Sequence, residues 1–211
     1  METCRHLWGG PRFWIPAGFA VLVALYFSPV ALPHKIALPV AWLALGTFWL
    51  RQPLLALAFL LSALGDLAGS YGNFLLQMGS FALAHVAFTV CFVRRILLSG
   101  SPLSKVWMWS VSVICAVLCI VAFSLVVPRV PSPLSWGVGV YAVLILTMLW
   151  TASVQRNVWL TVGALLFVFS DFILAWNKFV SPVSSAWLLI MIPYYAAQVS
   201  LFIGCTLKRC D

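Results

Sequence analysis

Acidic side chains are nearly missing from this chain. Its 211 residues hold 4 Asp and Glu against 12 Lys and Arg, and Glu2 and Asp211 stand at the two ends. Charged residues make up only 8% of the sequence, which excludes the solvated surface of a soluble domain. Cys-x-x-Cys is absent among the 6 cysteines. Cys91, Cys115 and Cys119 lie in apolar stretches, where Cys acts as a small hydrophobe, so no redox framework is expected. His6, His34 and His85 have no zinc-ligand spacing, so neither a metal nor another cofactor is expected. No basic tract with interleaved aromatics occurs on a polar segment, which argues against a nucleic-acid partner. The net charge of +8 sits singly or in pairs beside apolar runs, as topology and anionic headgroups require. A Gly-x-Ser-x-Gly turn is also missing, which removes the usual setting of a Ser-His-Asp nucleophile.

What remains is apolar. Hydrophobic residues reach 64% and the mean hydropathy is +1.10. Runs long enough to cross a bilayer recur with short connections between them. The reading is an all-α integral membrane protein, a bundle of eight transmembrane helices forming one domain over residues 1–211. The helices fall near 13–31, 34–50, 53–70, 73–93, 105–127, 134–154, 157–176 and 184–207. Helices two and three are short, which leaves open seven spans with a re-entrant segment. The first run follows Arg5 and Arg12, has no convincing small-x-small cleavage site, is followed by Pro29 and Pro33, and is read as a retained helix. Pro33, Pro53, Pro102, Pro131, Pro133 and Pro182 fall in or beside the connections, as helix breakers should. Nine cations (Arg5, Arg12, Arg51, Arg94, Arg95, Lys105, Arg156, Lys208 and Arg209) fall on one side, and Lys35, Arg129 and Lys178 on the other. This bias places both termini in the cytoplasm. The expected location is multi-pass, in a bacterial cytoplasmic membrane.

The other two acids stand out against this background. Asp66 and Asp171 lie inside apolar runs, where an ionisable group is costly and by default marks function. Asp66 is 13 residues beyond Pro53 and Asp171 is 14 beyond Asn157. At 1.5 Å per residue, each carboxyl is roughly 20 Å along its helix. Asp66 and Asp171 are therefore the candidate catalytic residues. Gly65 and Gly69 flank Asp66 as a small-xxx-small pair, which lets helices approach closely and buries the carboxyl in protein. Ser62 is one turn before Asp66 on the same face, whereas Ser170 adjoins Asp171 and points elsewhere. Both serines are read as satisfying nearby polar groups rather than as nucleophiles. The candidate substrate-binding residues are Lys35, Asn73, His85, Tyr194 and Gln198. Lys35 either snorkels, holds a phosphate or pairs with an aspartate. His85 is either a core histidine or a substrate contact. Tyr194 and Gln198 lie four apart and deeper than an interfacial belt, while Tyr26 and Tyr141 fall in the outer half.

Several segments resemble the YhhN family of membrane proteins. They are Ser62-Ala63-Leu64-Gly65-Asp66, Gly79-Ser80-Phe81-Ala82-Leu83-Ala84-His85, the run Gly163 to Asp171, and Tyr194-Tyr195-Ala196-Ala197-Gln198. The resemblance extends from about Lys35 to Gln198. Animal members of that family are lysoplasmalogenases, so it implies hydrolysis of the vinyl ether bond of a lysolipid. The products would be a fatty aldehyde and a glycerophospho-alcohol. Such a reaction needs a proton donor and an anion together, as in glycoside hydrolysis. Two carboxyls in one site of low dielectric divide these roles, because both cannot readily ionise at once. The expected partners are a lysolipid substrate and membrane lipids; the oligomeric state is open. A small proton-coupled transporter, or a lipid-binding bundle using the same buried acids, is the alternative.

Overall fold

The apolar runs fold into helices throughout. The computed structural model describes residues 11–99 and 104–206, with side chains from residue 13 onward. Among the described residues there are eight α-helices, two short 3-10 turns and no strand. They are α1 (Pro11–Phe27), α2 (Leu38–Trp49), α3 (Pro53–Ser70), α4 (Phe74–Ser99), α5 (Lys105–Leu125), α6 (Leu134–Ser153), α7 (Val158–Phe179) and α8 (Ala186–Thr206). Six of them, α3 to α8, are long and apolar enough to cross a membrane. The short helices are α1 and α2, not the second and third, because α1 ends at Phe27, before its expected end near 31, while α3 keeps its expected span. Arg5, Lys208, Arg209, Pro102, the Arg12 side chain and both termini lie outside the described residues.

Local chemistry accounts for the helix ends. α1 stops at Phe27 because Ser28 precedes Pro29, and a residue before proline is pushed out of the helical region. α4 runs six residues beyond its expected end at 93, since Arg94, Arg95 and the aliphatic residues after them favour helix. α2 and α3 both close in Schellman motifs. Gln52 N–H donates to Thr47 (3.0 Å) and Arg51 N–H to Phe48 (2.9 Å), with Arg51 left-handed at φ 58°. Asn73 N–H likewise donates to Ala68 (3.0 Å) and Gly72 N–H to Gly69 (2.9 Å), with Gly72 at φ 74°. A second left-handed arginine, Arg156 at φ 54°, precedes α7. Each of these arginines is 15 residues before an intramembrane aspartate, so the α2–α3 and α6–α7 hairpins are built alike.

The chain divides into two compact units, Met1–Phe88 with Gln198–Asp211, and Thr89–Ala197. In the first, α2 packs on α1 and α3. Close approach there depends on glycine: a Cβ on Gly46 would lie 2.7 Å from Ile15, and one on Gly65 would lie 2.9 Å from the Phe81 ring. The Trp42 indole N–H donates to the Ile15 carbonyl (2.9 Å), and Phe59 meets Phe88 edge to face at 5.3 Å. In the second unit, α6 packs on α5 and α7. Tryptophan again ties helices together: the Trp107 indole donates to Ser153 carbonyl (2.8 Å) and the Trp150 indole to Ser112 Oγ (2.9 Å).

Gly65→Leu should therefore overpack the α3–α4 contact and cost about 1–3 kcal/mol. Gly79→Ala should be neutral or mildly stabilising, since a Cβ there meets nothing within 4 Å. Thermal melts of both variants in one detergent check the contrast; equal melting temperatures would contradict it.

Candidate functional site

Asp66 is buried in the first unit, at 3% exposure on α3. Tyr26 of α1 stands near the Asp66 side chain. Ser62, one turn earlier, gives its one hydroxyl proton to the Ala58 carbonyl (3.0 Å), so it satisfies its own helix. Toward the end of α3, Ser70 Oγ lies 2.8 Å from His34 Nδ1, and the His34 ring lies 4.1 Å from that of Tyr71. Lys35 adjoins this cluster, but its ammonium turns to the α1–α2 connection and donates to the carbonyls of Ser28 (2.7 Å) and Val30 (2.9 Å). A cation on the carbonyls just past a helix end offsets the dipole there.

The remaining candidates of this unit divide by burial. Asn73 is exposed and caps α4, its Oδ1 accepting from the Leu76 N–H (3.0 Å). His85 is fully buried on α4. Gln198 is buried too, at 0% exposure, and neither its amide oxygen nor its amide nitrogen has a hydrogen-bond partner. A buried amide without partners is costly, which is reason to look for a ligand there.

Asp171 belongs to the second unit. It is half-buried on α7, and its Oδ2 accepts a hydrogen bond from the Tyr141 hydroxyl of α6. Sequence reading grouped Tyr141 with the interfacial tyrosines and missed this pair. A signal existed: Tyr141 and Asp171 stand at nearly mirrored positions about the short α6–α7 connection, so antiparallel helices bring them level. Ser170 points away, as expected, and donates to the Ile190 carbonyl of α8 (3.0 Å). Tyr194 is buried against Phe167, with ring centroids 5.5 Å apart at 87°.

Tyr141 and Asp171 face a half-open cavity of about 550 Å³ between α5, α6 and α7. Apart from that pair its walls are aliphatic or aromatic, with Leu118, Ala142, Leu146 and Leu165 toward one end and Val127 and Ala175 toward the other. The volume is that of a small-molecule site, roughly 300–1,000 Å³. Among the described residues, no three His, Cys, Asp or Glu gather as a metal site would require. The arrangement offers a carboxyl, a phenol and an apolar chamber, which suits proton transfer to an apolar substrate.

These features define a multi-pass helical membrane protein with an acid on the wall of an apolar chamber. Residues 23–205 match the YhhN family, and the chain belongs to that family. It is also similar to proteins named lysoplasmalogenase TMEM86B. The one from Homo sapiens is 40% identical over 78 residues, covering 36% of this chain and 33% of the relative. The one from Sus scrofa is 38% identical over 79 residues, covering 36% and 34%. The one from Rattus norvegicus is 44% identical over 66 residues, covering 30% and 27%. The match thus spans about a third of the length of these relatives. No solved structure is significantly similar. The relatives are mammalian and lend no support to a bacterial membrane, whereas the multi-pass placement stands on the helices and the family.

Replacing Gln198 by Leu removes two unpartnered polar atoms with little change of volume. The melting temperature should hold or rise, because the desolvation cost, about 1–3 kcal/mol, disappears. A fall of several degrees would show that the amide is satisfied within the folded protein.

Proposed function

We propose that this protein is an intramembrane hydrolase that cleaves the vinyl ether bond of lysoplasmalogen-type lysolipids. Membership of the YhhN family and similarity to proteins named lysoplasmalogenase support the substrate class. The observation that carries the reading is Asp171, held by a tyrosine hydroxyl on the wall of an otherwise apolar cavity. In the proposed reaction a carboxyl protonates the vinyl β-carbon, giving an oxocarbenium ion. A second carboxylate takes a proton from water as the water adds to the ether-bearing carbon. The resulting hemiacetal collapses to a fatty aldehyde and a glycerophospho-alcohol. Asp66 and Asp171 fill these two roles, and Tyr141 orients Asp171. Lys35, Asn73, His85, Tyr194 and Gln198 are proposed to contact the substrate. Both termini are assigned to the cytoplasm on the nine-to-three distribution of cations.

The experiment is aldehyde release from lysoplasmalogen by purified protein in detergent. Asp66→Asn and Asp171→Asn should each lower turnover about 10²–10⁴-fold while the protein still inserts and melts normally. If both serve one reaction, the double variant should be little slower than the slower single variant. Release at the wild-type rate by either single variant removes that residue from the mechanism. No aldehyde from the wild type, together with gradient-driven uptake in vesicles, would favour a transporter.

A further inference from the structure

The cavity of the second unit has a direction, and its two ends differ. Along α7 its wall runs from Leu165 to Ala175, with Asp171 between them. At 1.5 Å per residue, the Leu165 end is roughly 9 Å from Asp171 and the Ala175 end roughly 6 Å. The longer arm is wholly apolar, lined by Leu118, Ala142, Leu146 and Leu165. The shorter arm runs past Val127 and Ala175 toward two cations. Arg129 lies two residues beyond Val127, exposed at the end of a 3-10 turn, with its guanidinium on the Leu125 carbonyl. Lys178 lies three residues beyond Ala175, one turn on, exposed in the last turn of α7.

A hydrocarbon chain gains little by leaving a bilayer for an apolar chamber, because lipid tails are as apolar as the walls. The cavity therefore positions a ligand more than it attracts one, and position must come from polar groups. The Tyr141–Asp171 pair is one such group, and the cations beyond the shorter arm are the other. Lys35 belongs to the other unit, where its ammonium meets the Ser28 and Val30 carbonyls, whereas Arg129 and Lys178 stand on the elements that line this cavity. At about 30 Å³ for each water-sized group, the cavity has room for roughly 18 methylene-sized groups, enough for one long chain.

Resting on the lysolipid reading above, we propose that Arg129 and Lys178 bind the phosphate of a single-chain lysophospholipid. Its chain fills the Leu118–Leu165 arm, and its glycerol lies between Ala175 and Asp171. The headgroup is thereby anchored on the same unit as Asp171, and the bond next to the glycerol falls at the Tyr141–Asp171 pair. Cations at this depth are also expected simply to meet the membrane surface, and that bland role is separable by experiment.

The test uses the full chain in detergent and equilibrium binding of two non-hydrolysable probes, a 1-O-alkyl lysophospholipid and the matching 1-O-alkyl glycerol without phosphate. Wild type should bind the phosphorylated probe about tenfold more tightly. Arg129→Gln with Lys178→Gln should abolish that preference and leave the alkyl glycerol unchanged. Ala142→Phe, which narrows the chain arm, should weaken both probes alike. As a measurement that needs no variant, a diazirine at the chain terminus of the lysophospholipid should label Leu118, Leu146 or Leu165 in the wild type. Unlabelled lysophospholipid should block this labelling, and inorganic phosphate should not. Retention of the phosphate preference by the charge variant, chain labelling confined to other helices, or equal competition by inorganic phosphate would overturn the assignment. Failure of the hydrolase reading looks different: both probes bind as described, yet no aldehyde forms from the vinyl ether substrate.

Discussion

A bilayer offers a buried polar group no water, and the rest of this structure follows from that constraint. Most serine and threonine hydroxyls inside the helices turn back on their own backbones, Ser170 being an exception that reaches α8. Thr47 donates to Leu43 and Ala44, Ser62 to Ala58, Thr151 to Thr147 and Met148, and Thr206 to Phe202. Indole N–H groups reach across to carbonyls or hydroxyls of neighbouring helices. Helix ends close in Schellman motifs or on asparagine caps, so the connections complete their own hydrogen bonds before reaching the interface.

Polar groups that exceed this need are few, and they are where function is argued. Asp171 is served by a tyrosine but still lines an open chamber. Gln198 is buried without a partner for either amide atom. Asp66 sits between glycines that let α4 close over α3, so its burial follows from packing and not from its own preference. Lys35 places its ammonium on two carbonyls beyond the end of α1.

Number and order of helices were legible because each apolar run is bounded by proline, glycine or charge. Errors fell at ends where several residues of similar propensity follow one another, as in the extension of α4 to Ser99. The two aspartates were legible by rarity alone. Tyr141 was not, because nothing in its own neighbours distinguishes a tyrosine that meets a carboxyl from one that meets a headgroup. Ser62 was placed on the right face beside Asp66, yet its proton goes to Ala58, the nearer acceptor along its own helix.

By itself the sequence determined that the chain enters a membrane as helices, how many there are and in what order, and that two carboxyls lie within them. These are local properties of composition and breaker residues. Only the tertiary structure decided that Asp171 meets Tyr141, that an apolar chamber opens between α5, α6 and α7, and that Lys35 folds onto backbone carbonyls. In a soluble protein an apolar stripe reveals which helix face turns inward. In this chain lipid and protein interior are equally apolar, so each helix is hydrophobic all round, and only the fit of side chains against neighbouring helices selects the faces that meet.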